Sequence, residues 1–185
     1  DEVADANRAR MVSVTDWPTP QGMKAILETH AVTATLPREG VLQLDFAFRL
    51  EAPSGPVKLD GDAQHAGFHF RAADEVEKRK DAKYERPATA VSKKGDVWAE
   101  CPWVVCRFKV NGDDYAVMHM NGPANPQPTV YSTRNYGRFG AFAVAEASPD
   151  APLSLRYRVL VCDGAVATGE NWARNYEEFA KAAKQ

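Results

Sequence analysis

Apolar and polar residues alternate with a period of two through most of this chain, the mark of β-strands with one face in a core and the other in water. VLQLDFAFRL gives the pattern most cleanly. Leu42, Leu44, Phe46, Phe48 and Leu50 fall on one face, and Gln43, Asp45, Ala47 and Arg49 on the other. PLSLRYRVLV repeats it, setting Leu153, Leu155, Tyr157, Val159 and Val161 against Ser154, Arg156 and Arg158. Between them, PWVVCRFKV and DYAVMHM flank Asn111-Gly112-Asp113-Asp114, and an Asn-Gly step supplies the positive φ angles a tight hairpin needs. These two runs are expected to pair, with His119 opposite Val104 or Cys106 on the face shared by Phe108, Tyr115 and Val117. Further strands are expected over Ala25 to Leu36, Gln64 to Ala72 and Phe139 to Ala147, with turns at APSGP, NGPANPQP and SPDAP.

Two segments break the pattern. Asp74 to Arg86 is dense in charges of both signs and reads as a solvated loop or short helix. From Thr168 onward Trp172, Tyr176, Phe179 and Ala183 recur at helical spacing, with Thr168 as N-cap and Glu170 in the first turn. The expected fold is therefore all-β: an antiparallel β-sandwich of the jelly-roll or supersandwich type carrying a C-terminal α-helix. At 185 residues, with no internal repeat or low-complexity linker, a single domain over 1–185 is expected. The opening DEVADANRAR is polar and lacks Met, so the natural N-terminus is expected to have been removed or to lie upstream.

Charge and hydropathy exclude some partners. Lys plus Arg number 23 against 25 Asp plus Glu, a net charge of −2, so no global field draws the chain to nucleic acid. No apolar run reaches the roughly 18 residues of a membrane span. Three cysteines, Cys101, Cys106 and Cys162, leave at least one thiol free. Cys101 and Cys106, five apart, would point to opposite faces of one strand and so not bridge.

The highest chemical density lies in DGDAQHAGFHFRA. On a strand, Phe68 and Phe70 would face the core while His65, Gly67, His69 and Arg71 line the opposite face, two imidazoles and a guanidinium beside a glycine gap. That row suits general acid/base work by His65 or His69, with Arg71 or Arg138 holding a negative oxygen. An exposed polar face explains the same pattern. His65 and His69 would stand about 13 Å apart on an extended strand, too far to share one metal. His119, alone on an apolar face, is either a hydrogen-bonded core residue or a metal ligand joined by His65 or His69; a divalent metal is the one cofactor this leaves open. NGPANPQPTVYSTRNYGRFGAF offers Asn125, Arg134, Tyr136 and Arg138 as binding residues for a sugar or carboxylate, or glycines that merely permit a bulge. Nucleophile-elbow, P-loop, zincin and dinucleotide motifs are missing from the sequence.

Together, DGDAQHAGFHFRA, HMNGPANPQPTVYSTRNYGRFGAF and PLSLRYRVLVCDG, with DWPTPQGMKAILETHAVT upstream, resemble a bacterial domain-of-unknown-function family labelled methane oxygenase PmoA. The label does not fit the sequence, since the true methane monooxygenase subunit is a membrane protein. The resemblance implies a longer, periplasmic or secreted protein of polysaccharide-degrading bacteria, of which this chain is the C-terminal portion, completed by a preceding half or a partner chain. It singles out His65, Gly67, His69 and Arg71, then Asn125, Pro126, Arg134, Tyr136 and Gly137. The expected function is carbohydrate processing, a glycoside hydrolase or lyase acting on a glycoside or an oxidised sugar derivative. The alternative is a non-catalytic sugar-binding or structural module of a larger assembly.

Overall fold

The computed structural model describes residues 2–183. In chain order the strands are β1 (Glu2–Ala4), β2 (Arg8–Pro18), β3 (Lys24–Arg38), β4 (Val41–Glu51), β5 (Val57–Leu59) and β6 (Phe68–Arg71). After helix α1 (Asp74–Arg79) come β7 (Lys83–Glu85), β8 (Val91–Lys93), β9 (Val97–Ala99), β10 (Trp103–Val110) and β11 (Asp113–Asn121). The chain ends in β12 (Val130–Arg134), β13 (Arg138–Phe142), β14 (Ala145–Ala147), β15 (Leu153–Asp163), α2 (Gly164–Gly169) and α3 (Trp172–Ala182). Eight strands form one sheet in the order β1-β2-β3-β4-β15-β11-β10-β7, five form a second in the order β6-β13-β12-β9-β8, and β14 pairs with β5. The result is an antiparallel β-sandwich with a C-terminal helix.

The eight-stranded sheet is covered on both faces at its centre. Its inner face sends Val104, Cys106, Val117, Tyr157 and Val159 against Tyr131, Phe139 and Ala141 of the smaller sheet, with Leu44, Phe46, Phe48, Phe68 and Phe70 packed around them. Its outer face sends Val41, Trp103, Val105, Met118, Met120, Leu160 and Cys162 against Trp172 and Phe179 of α3. Double coverage explains why β10 and β11 carry unbroken apolar runs, WVVC and AVM, where β4 and the start of β15 alternate. A third cluster of Ile26, Leu50, Ala52 and Ala147 closes one end.

The hairpin has the expected register: Val110 pairs with Asp113 across Asn111 and Gly112, both at positive φ, and His119 pairs with Val104. Other expectations need correction. The strand read over Gln64 to Ala72 begins only at Phe68. Asp62 folds the preceding residues into a turn, its side chain accepting from the Gln64 N–H and its carbonyl from the His65 N–H, both at 2.8 Å. Phe139 to Ala147 splits, because the chain leaves β13 after Phe142 and pairs anew with β5. Asp74 to Arg86 holds both α1 and β7; single apolar anchors, Val76 buried under α1 and Tyr84 opposite Cys106, suffice to dock a charged segment. Thr168 lies within the separate helix α2 instead of capping α3, and Asn171 caps α3 by accepting from the Arg174 N–H at 3.1 Å. Cys101 precedes β10 and lies in the same core layer as Cys106, although all three thiols are free. Strands β1 and β2 had no clear signal: β2 is exposed along most of its length, so no apolar face marks it.

Candidate functional site

Cross-strand register gathers four of the eight sequence-selected residues, His69, Arg71, Arg134 and Arg138, on the outward face of the smaller sheet. Arg71, Arg138 and Arg134 stand opposite one another across β6, β13 and β12, and His69, Gly140 and Ser132 form the neighbouring row. Phe68 and Phe70 point inward, as the alternation in FHFR requires. His65 does not share this face as a strand residue. It sits exposed in the Asp62 turn, its Nδ1 2.7 Å from Asp62 Oδ2.

Each cation on the face has a different environment. Arg71 pairs with Glu77 at 2.7 Å, and Arg134 reaches the Gly95 carbonyl at 3.1 Å and Asp96 at 3.5 Å. Arg138 has no carboxylate partner among the described residues, and its Nε and Nη2 are buried without hydrogen bonds. His69 lies across Gly140, with Nε2 2.7 Å from the Ala66 carbonyl and Nδ1 buried without a partner. A carbonyl can only accept, so the neutral ring carries its proton on Nε2. Burial lowers its pKa; the Ala66 carbonyl opposes that shift, and Arg138 and His65 add to it. Tyr136 is half-buried in the turn between β12 and β13.

His119 and Asn125 are elsewhere. His119 is fully buried on the inner face, boxed by the rings of Phe68, Tyr131, Tyr157 and Phe139 at 5.3, 5.4, 5.7 and 6.2 Å. Its Nδ1 shares a 2.9 Å hydrogen bond with the Tyr131 hydroxyl. Burial drives its pKa down to about 3, helped by His69 and opposed by the backbone of Phe68 and of His119 itself. Among the described residues no three His, Cys, Asp or Glu side chains are placed to hold a metal ion. Asn125 is saturated by the fold: its amide donates to Asn121 Oδ1 and the Arg156 carbonyl and accepts from the Arg156 N–H, each at 2.8 Å.

A cleft of about 370 Å³ opens between the inner faces of the two larger sheets, on the side away from the arginine row. Trp17 and Glu28 from β2 and β3, Phe48 and Leu50 from β4, and Leu155 and Tyr157 from β15 form one wall. Facing them are Phe68, Ala141 and Phe142, with Asp60, Ala66 and Gly67 at the rim. Pairing explains the wall: Thr15 lies opposite Glu28, Trp17 opposite Ile26, and Glu28 opposite Leu50, so Trp17 and Glu28 are diagonal neighbours on one face. Trp17 keeps 42% of its surface exposed. Asp60 is held below the usual carboxylate range by Lys58, 2.7 Å away, and by the Gly61 N–H. Trp17, Glu28 and Asp60 are not among the residues that the alternation and the motifs single out. The one available signal was an indole in a strand otherwise polar on that face, Ser13-x-Thr15-x-Trp17.

A family model spans residues 1–177, all the strands of the sandwich and the first half of α3. The chain belongs to a family of unknown function (DUF6807). No curated protein matches it. In this DUF6807 chain, then, the chemistry has to be read from the two faces just described: a cationic row outside the smaller sheet and an aromatic cleft between the sheets.

Proposed function

We propose that the cleft between the sheets binds a carbohydrate, a glycoside or an oxidised sugar derivative, and that the protein is a sugar-handling module. The observation that carries this reading is Trp17, a large indole left 42% exposed on the wall of a cleft otherwise lined by Phe48, Phe68, Phe142 and Tyr157. A sugar presents C–H faces to such rings and hydroxyls to carboxylates, here Glu28 on the wall and Asp60 at the rim. The resemblance to exported proteins of polysaccharide degraders agrees with a periplasmic or secreted role. From the PmoA label itself we take no chemistry.

Titration of methyl glycosides and 3-keto-glycosides against the full chain, followed by calorimetry and indole fluorescence, tests the reading. Trp17→Ala should weaken binding about ten-fold or more, the cost of losing a central aromatic contact. Saturable sugar binding that ignores this substitution would move the site elsewhere.

One observation favours turnover as a second reading. Two carboxylates line the cleft in different settings: Asp60 is kept ionised by Lys58, while Glu28 is half-buried with no cationic partner among the described residues. Two carboxylates in one cleft are the minimum that an acid with a base or nucleophile requires. His65 and His69 do not line the cleft, so proton transfer there falls to Glu28 and Asp60. On this reading Glu28→Gln should lower kcat on a neutral glycoside by about 10²-fold. Binding without turnover by the native chain would leave the binding-module reading alone.

A further inference from the structure

We propose that the cleft selects its ligand by charge and takes a sugar bearing an ammonium group, an amino sugar, in preference to a neutral or an anionic one. The inference rests on reading the cleft as a sugar site and narrows the substrate class.

Its first support is the distribution of charge. Lys and Arg number 23 in the chain, yet among the described residues no Lys, Arg or His lines the cleft, and its only charged side chains are Glu28 and Asp60. Asp60 is offset by Lys58 at 2.7 Å. Glu28 enters no ion pair among the described residues. Two nearby bases are engaged: Lys24, at the start of the same strand, pairs with Asp16 at 2.9 Å, and Arg49 on β4 with Glu51 at 2.8 Å. His30, two residues along the same face from Glu28, is stacked on Phe48 at 4.3 Å and lies outside the lining. A half-buried carboxylate in an apolar wall is screened less than a surface one and attracts a cation correspondingly more.

Aromatic rings give the second support. Trp17, Phe48, Phe68, Phe142 and Tyr157 all line the same space, and the negative faces of such rings attract ammonium groups and repel carboxylates. Both features disfavour a uronate. The cationic row of Arg71, Arg134 and Arg138 cannot compensate, since it faces outward from the smaller sheet.

The experiment compares methyl glucosaminide, methyl glucoside and methyl glucuronide by calorimetry with the full chain, below neutral pH so that the amine is charged. The glucosaminide should bind about five-fold tighter than the glucoside, and the glucuronide more weakly than either. Added salt should narrow the spread, and in Glu28→Gln the preference for the amine should fall to near unity. Equal binding of the three, or a preference that survives Glu28→Gln, overturns charge selection while the cleft remains a sugar site. Failure of all three to bind overturns the sugar reading and this inference with it.

Discussion

Acidifying the protein from about pH 7 to about pH 4 should remove about 3 kcal/mol of its stability through His119 alone. The imidazole has an ordinary pKa of 6.5 in the unfolded chain and about 3 in the fold. Between those values the unfolded chain binds a proton that the folded one refuses. Stability is therefore complete above 6.5 and drains away as the pH falls toward 3. The cause is position: a ring enclosed by Phe68, Tyr131, Phe139 and Tyr157 has, among the described residues, no carboxylate to accompany a positive charge. His69, also lowered by burial, acts in the same direction. Urea unfolding at a series of pH values measures the slope, and His119→Phe isolates it. Tyr131 keeps its backbone contacts to the Pro102 and residue 119 carbonyls, at 3.4 and 3.3 Å, in that variant. A variant with the same acid slope as the native chain would show that His119 is not the titrating group.

Gly140→Ala should destabilise the fold by about 3 kcal/mol, as much as deleting a core side chain. A methyl group there would collide with the Phe68 carbonyl oxygen and stand 2.7 Å from His69 Cγ. Neither can retreat cheaply, because Phe68 is held by the rings of Phe46, Phe48 and Tyr157, and His69 by its bond to the Ala66 carbonyl. Relief would require β6 to part from β13, exposing the row that aligns Arg71 with Arg138. Gly169→Ala is the control: nothing lies within 4 Å of that position, so its stability should be unchanged within about 0.5 kcal/mol. Thermal or urea denaturation of the two variants side by side decides, and a Gly140→Ala protein as stable as the control would refute the close approach.

How far the fold could be read from the sequence depended on how each strand is covered. β4 and the start of β15 bury mainly one face, so their alternation places Leu44, Phe46, Phe48, Tyr157 and Val159 in the inner layer, while Val41, Leu160 and Cys162, buried under α3 on the outer face, fall outside that pattern. β10 and β11, covered on both faces, were legible through the Asn111-Gly112 turn that joins them. β2 carried no such mark, because its neighbours supply backbone hydrogen bonds without burying either side. β6 is shorter than the alternation across AQHAGFHF implies for a local reason, the Asp62 turn, which leaves that alternation intact in sequence while folding residues 62–65 out of the strand.

The candidate site divides in the same way. His69, Arg71, Arg134 and Arg138 were chosen from segments more than sixty residues apart, and pairing of β6, β13 and β12 does bring them to one face. Asn125 looked like a ligand-binding amide in an exposed loop. It is instead the peg that fixes that loop to β15, a role carried by three hydrogen bonds with no local signature. Trp17, Glu28 and Asp60 come from three early segments: pairing of β2 with β3 brings the first two together, and β5, packed through Val57 and Leu59 on Ile26 and Leu50, brings the third, information that no window of sequence contains.

The three buried thiols give the molecule its own reporters of partial opening. Cys101 and Cys106 lie between the two sheets, and Cys162 between the large sheet and α3. Burial raises their pKa values to about 12, 12 and 11, so each is a protonated, shielded thiol that an alkylating reagent reaches only when its own layer separates. Pulsed labelling read by peptide mass would therefore distinguish undocking of the terminal helix from separation of the sheets. Because the layers share β11 and β15, the order in which the thiols react would report whether the sandwich comes apart as one unit or sheds its helix first.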